Sequence, residues 1–176
     1  MFLDPRAVIF FGANVLLLYL TQLVNSGMSA WPIYLFMLGP MVVLPALYLR
    51  HKSYFVCTLA TGLCVDASLS VPFGFFTILF LIVGAVIFSF RIRFRAEHNY
   101  HPALLAHCIN LFLLIALTVS TGRDYLSVPS FWIQIVTTSL CSHLALLVVA
   151  PWFFSLERNL FIICRVETEP EDLPLL

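Results

Sequence analysis

The chain has 176 residues, 61% of them hydrophobic and 10% charged, with nine basic and nine acidic side chains and a mean hydropathy of +1.00. Soluble domains carry about 25% charged residues and are less than half apolar, so a soluble fold could not cover this much apolar surface. Zero formal net charge points to no nucleic acid, and the apolar stretches recur almost end to end, leaving no segment for a separate soluble domain.

The expected architecture is all-α: a single polytopic membrane helix bundle over residues 1–165, followed by a flexible acidic cytoplasmic tail over 166–176. Six spans are read at roughly 7–24, 32–49, 53–70, 73–90, 102–120 and 131–154, each near the ~20 residues that ~30 Å of hydrocarbon requires. The first follows Met1 to Arg6 with no small-residue cleavage site behind it, so it reads as a retained helix. The second carries Pro32, Pro40 and Pro45 and is expected to be a kinked helix, because a proline beyond the first turn removes a backbone donor. Breaks fall at Asn25-Ser26-Gly27, Arg50-His51-Lys52, Ser70-Val71-Pro72, Arg91 to His101 and Ser120 to Pro129.

Six crossings put Arg6, Arg50, Lys52, Arg91, Arg93, Arg95, Arg158 and Arg165 on one side and Arg123 alone on the other. Basic residues of short loops stay cytoplasmic, so both termini are expected on the cytoplasmic side. The same charges can meet anionic lipid, and the loops at Arg50 and Lys52 and at Arg91, Arg93 and Arg95 are candidate partner or lipid contacts.

Asp66 is the one acid placed inside or at the rim of a span, where a charge demands a partner, water or the neutral form. Thr58, Gly62 and Asp66 fall at i, i+4 and i+8 and share a helix face, and Gly62 lets a neighbouring backbone come close. Asp66 either caps the turn into the next helix, through Ser68, Ser70 or backbone N–H groups, or handles a proton or substrate, or meets a partner.

Further polar stripes run through Asn14 and Thr21, through His107 and Asn110, and through Gln134, Thr138 and Ser142. Their ordinary use is interhelical hydrogen bonding at about 0.6 kcal/mol each. His107 and His143 are expected to be packed or interfacial histidines rather than ligands. Cys57, Cys64, Cys108, Cys141 and Cys164 form no CxxC and no zinc-ligand spacing with histidine, and read as small apolar fillers. With no phosphate loop, HExxH, Ser/His/Asp set or paired carboxylates, the chain reads as a non-enzyme without cofactor or metal.

The stretch Gly62-Leu63-Cys64-Val65-Asp66-Ala67-Ser68-Leu69-Ser70-Val71-Pro72-Phe73-Gly74, followed by an apolar helix and Arg91-x-Arg93-x-Arg95, resembles the signature of the bacterial rod-shape-determining MreD family. Gly62, Asp66, Ser70, Pro72 and Gly74 match that pattern, while Leu69 and Ser70 stand where the family often has Ser-Gly. The resemblance implies a non-enzymatic inner-membrane scaffold of the cell-wall elongation machinery, with MreC, MreB, RodA and a penicillin-binding transpeptidase as partners. The family's fold is similar to the substrate-binding subunits of vitamin transporters, which supplies the alternative: a membrane subunit binding a small molecule.

Overall fold

The computed structural model describes residues 4–31, 33–95 and 100–166, without the side chains of 91–95, 100, 101 and 123. The acidic tail expected from 166 onwards therefore lies, beyond Val166, outside the described residues, as do the side chains of Arg91, Arg93 and Arg95. The described chain is all-helical: α1 (Pro5–Gly27), α2 (Pro40–Tyr48), α3 (His51–Ser68), α4 (Phe75–Arg95), α5 (Tyr100–Thr121) and α6 (Pro129–Ile163), with a 3-10 turn at Arg123–Tyr125.

Helix α1 begins where Asp4 accepts from the Arg6 N–H at 3.0 Å and Pro5 occupies the first turn, where its missing donor costs nothing. Proline likewise opens α2 and α6. Helices Pro5–Gly27, Pro102–Thr121 and Pro129–Ile163 are long and apolar enough to cross a membrane, and Phe75–Phe90 is a shorter apolar helix. The outward faces of α4 and α6 are apolar along much of their length: Ile78, Ile82, Val86 and Phe90 on α4, and Ile133, Val136, Leu140, Leu144, Leu147 and Val148 on α6, are all more than half exposed. An aqueous surface rarely carries contiguous apolar patches of that extent, whereas lipid favours them.

The second expected span is not a helix throughout, and this corrects the kinked-helix expectation. Residues 33–38 are non-helical, and only Pro40–Tyr48 coils. The element is nonetheless the centre of the molecule, because every residue of α2 from Pro40 to Leu47 is buried. A helix apolar all round belongs in a core, and α1, α3, α4, α5 and α6 all pack against this one. A two-residue link, Leu49 and Arg50, both extended, then turns the chain back into α3.

A buried non-helical segment needs partners for its N–H and C=O groups. Side-chain amides and a hydroxyl from three helices supply them. Asn25 of α1 brackets Leu35, accepting from its N–H at 2.8 Å and donating to its carbonyl at 2.9 Å. Ser142 of α6 accepts from the Phe36 N–H at 2.9 Å. Asn110 of α5 donates to the Phe36 carbonyl at 2.8 Å and accepts from the N–H groups of Leu38 and Gly39 at 3.0 and 3.1 Å. Asn14 of α1 donates to the Met41 carbonyl at 3.0 Å, where the first turn of α2 takes over. Gly39 is required beside Asn110, since a Cβ there would collide with the Ala106 carbonyl.

The same contacts fix direction. Leu35 lies beside Asn25 and Met41 beside Asn14, so the segment runs antiparallel to α1. Asn14 also meets Thr61, making α3 parallel to α1, and the Phe10 and Phe161 rings meet at 5.0 Å while Phe36 meets Ser142, making α6 antiparallel to it. His51 and Tyr54 at the start of α3 touch Phe88 near the end of α4. Arg6, Arg50, Lys52 and Arg158, with the chain positions of Arg91 to Arg95, therefore gather at one end of the bundle.

Replacing Asn110 with leucine strands two buried N–H groups and one carbonyl, each worth about 1–3 kcal/mol when left unpaired. Unfolding in detergent is expected to show a loss of several kcal/mol. Thr118→Val should cost less than about 1 kcal/mol, because that hydroxyl only bonds back to the Leu114 carbonyl of its own helix at 2.8 Å. Equal losses for the two variants would mean that the Asn110 contacts carry no weight.

Candidate functional site

The motif residues meet at the junction of α3 and α4. Asp66, in the last turn of α3 and 3% exposed, turns its carboxylate onto the opening of α4. Oδ1 accepts from the Phe76 N–H at 2.7 Å, and Oδ2 accepts from the N–H groups of Gly74 and Thr77 at 3.0 and 3.1 Å and from the Thr77 hydroxyl at 2.6 Å. These N–H donors belong to the opening turn of a helix, which has no intrahelical acceptors for them and carries the positive end of the helix dipole. Asp66 is thus an N-cap supplied by the preceding helix. Four donors meet the carboxyl group, three on Oδ2 and one on Oδ1.

Of the partners expected from the sequence, backbone N–H groups take the role and the serines do not. Ser68 donates instead to the Val65 carbonyl at 2.9 Å, and Ser70 is exposed. Pro72, also exposed, accepts from the Phe75 N–H at 3.1 Å, and Gly74 has φ +95°, a left-handed conformation that a side chain would strain. Gly62, one turn before Asp66, lies against α4: a Cβ there would stand 2.6 Å from Thr77 Cα. The glycine brings the two backbones together and the aspartate then reaches the N–H groups. Thr58 shares this buried face, with its hydroxyl unpartnered.

Arg50 and Lys52 are both exposed, at and just inside the start of α3. Cations at a helix N-terminus oppose its dipole, so neither side chain stabilises α3 through it. His107 and His143, expected as packed or interfacial residues, touch one another: their Nδ1 atoms lie 2.9 Å apart with the rings stacked, one imidazole donating and the other accepting. The five cysteines are free, and among the described residues no group of three or more His, Cys, Asp or Glu could hold a metal ion.

A lateral groove of about 630 Å³ opens between the start of α4 and the end of α5, lined by Phe75, Phe112, Ile115, Ala116, Val119 and Ser120. Its lining is apolar except for one hydroxyl, a chemistry suited to an acyl chain or an apolar helix.

Glu157 is an interior acid that the sequence spans leave out. It is 0% exposed, on the buried face of α6 that runs through Thr138, Ser142, Leu146, Ala150, Phe153 and Phe161. The expectation that Asp66 is the only interior acid is therefore corrected. The sixth span is expected to end at 154, yet the helix continues to Ile163, and the spacing of three and four residues that carries the stripe past 154 is the signal that finds the acid.

Comparison of the chain with protein-family models, with curated proteins and with solved structures finds no match.

The close approach at Gly62 yields a pair of substitutions with opposite signs. Gly62→Ala is expected to destabilise by about 1–3 kcal/mol through forced separation of α3 and α4. Gly12→Ala meets nothing within 4 Å and is expected to be neutral or to stabilise by up to about 1 kcal/mol, as alanine does in a helix. Thermal melts of both variants in one detergent check the signs.

Proposed function

We propose that this chain is a multi-pass bacterial inner-membrane protein with both termini cytoplasmic, acting as a non-enzymatic scaffold subunit of the cell-wall elongation machinery, in the manner of the MreD family. Six crossings include the composite second one: the non-helical residues 33–38 at about 3.3 Å each and the helical Pro40–Tyr48 at about 1.5 Å each reach about 33 Å, enough for ~30 Å of hydrocarbon. The gathering of Arg6, Arg50, Lys52, Arg158 and the Arg91 to Arg95 positions at one bundle end supports a cytoplasmic assignment for that end.

The observation that carries the scaffold reading is the hydrogen bonding of Asp66. The motif on which the resemblance rests builds a joint between two helices, because all four hydrogen bonds its acid accepts come from α4 and the turn leading into it. The rival reading, a substrate-binding membrane subunit, needs polar groups converging on a cavity. Asn14, Asn25, Asn110 and Ser142 converge instead on the chain's own backbone. What the molecule offers a partner is its apolar helix faces and its basic end, where Arg50 and Lys52 are exposed. Those surfaces suit MreC and RodA with its transpeptidase within the bilayer, and MreB on the cytoplasmic side.

Affinity purification of the tagged chain from its native membrane in mild detergent, with mass spectrometry of what co-purifies, tests the reading. MreC and the wall-synthesis enzymes are the expected companions. Recovery of paired ATPase subunits, or of a bound small molecule without those companions, would transfer the assignment to a transporter subunit.

A further inference from the structure

Neither carboxylate oxygen of Glu157 has a hydrogen-bond partner. Its surroundings follow from the antiparallel pairing of α1 with α6. Phe10 packs edge-on against Phe161, so one turn further along both helices Asn14 stands level with Glu157. Asn14, 1% exposed, has spent its amide hydrogens on the Met41 carbonyl and the Thr61 hydroxyl oxygen at 3.0 and 3.2 Å, and its Oδ1 is unpartnered as well. Cys57 of α3, one turn before Thr61, is near enough to Glu157 to interact with it electrostatically. Three helices thus enclose three oxygens with free lone pairs, Oε1 and Oε2 of Glu157 and Oδ1 of Asn14, and none of the three receives a hydrogen bond.

Such an arrangement is incomplete. A buried polar oxygen goes unsatisfied only at a cost, and a bare interior carboxylate is the costliest case. The basic residue adjoining Glu157 in sequence, Arg158, is exposed, on another side of α6. Of the other titratable groups on the neighbouring elements, His51 and Lys52 of α3 and Tyr19 of α1 are exposed, Asp66 is held at the α4 joint, the Tyr54 hydroxyl donates to the Phe80 carbonyl at 3.2 Å, and Cys64 of α3, Tyr48 of α2 and Arg6 in the first turn of α1 complete the set.

We propose that Glu157 and Asn14 form an interior site for a small monovalent cation, a proton or a sodium ion, at the junction of α1, α3 and α6. The two guests share one chemistry, a positive centre set among oxygens that carry lone pairs and no hydrogens. A proton on Glu157 turns one of its acceptor oxygens into a donor on the level of Asn14 Oδ1. A sodium ion takes both Glu157 oxygens and Asn14 Oδ1, with the Thr61 hydroxyl or water completing its shell. Either guest ties α6, at Glu157, to α1 and α3 through Asn14, the residue that also holds the Met41 carbonyl.

The test uses the full chain in nanodiscs at neutral pH. Thermal melts in sodium chloride are compared with choline chloride at equal ionic strength, and infrared spectra of wild type and Glu157→Gln are subtracted to find the carbonyl stretch of a protonated carboxyl. A saturable, sodium-specific rise in melting temperature that vanishes in Glu157→Gln identifies sodium as the guest. Sodium-insensitive melts with a protonated-carboxyl band present in wild type and absent in Glu157→Gln identify the proton. Melts indifferent to sodium together with no such band, or with a band that Glu157→Gln leaves in place, overturn the proposal. Should Glu157→Gln not fold, Glu157→Asp moves the acid by one methylene and must shift the band or change the sodium midpoint several-fold; an unchanged band and midpoint overturn the proposal equally.

Discussion

The backbone of residues 33–39 runs without helix into the interior of an apolar bundle, and apart from the Leu38 and Gly39 carbonyls, which accept from the first turn of α2, its buried N–H and C=O groups need hydrogen bonds from outside the segment. Much of the interior polarity follows from that one requirement. Asn25, Ser142, Asn110 and Asn14 come from α1, α6 and α5 to meet it in chain order, from Leu35 to Met41. Because the clamps join different helices to the same segment, satisfying the backbone also fixes how α1, α5 and α6 stand around it. The segment then delivers Pro40 to the bundle axis, where α2 forms the apolar centre.

A second joint lies between α3 and α4. Gly62 admits the first turn of α4, Asp66 caps it, and Gly74 supplies the left-handed residue that turns the chain into it. Each member depends on the others: without the close approach at Gly62 the carboxylate could not reach three N–H groups, and without the turn at Gly74 those groups would not converge. A buried acid is tolerable here because its partner is a helix end, rigid and already short of acceptors. The two joints share a logic, in which an interior polar side chain completes a backbone that is not complete in itself.

Hydropathy and turn residues mark α1, α3, α4 and α5 in the sequence to within a few residues, since each is a continuous apolar run between charges or turn formers. The second crossing misleads, because a run such as Ile33-Tyr34-Leu35-Phe36-Met37-Leu38 is equally apolar whether extended or coiled, and the period cannot separate the two. Helical spacing identifies the faces carrying Asn14, Asn110 and Ser142, and the face shared by Gly62 and Asp66. It does not say what those faces meet. Capping of α4 by Asp66 comes from another helix rather than from the residue before its first turn, so no local signature announces it, and the pairing of His107 with His143 joins two helices in the same way. Glu157 escapes such a reading because a charged Glu157-Arg158 pair looks like the end of a span, although Phe153, Glu157 and Phe161 continue the buried stripe at four-residue steps.

The central claim, that a non-helical backbone crosses the interior hydrogen-bonded to side chains, is open to residue-resolved amide exchange by NMR on the protein in nanodiscs. The account predicts that the N–H groups of Leu35, Phe36, Leu38 and Gly39 exchange as slowly as those of α2, while the chemical shifts through 33–38 report non-helical backbone. Rapid exchange at these four amides, or helical shifts through 33–38, would contradict it.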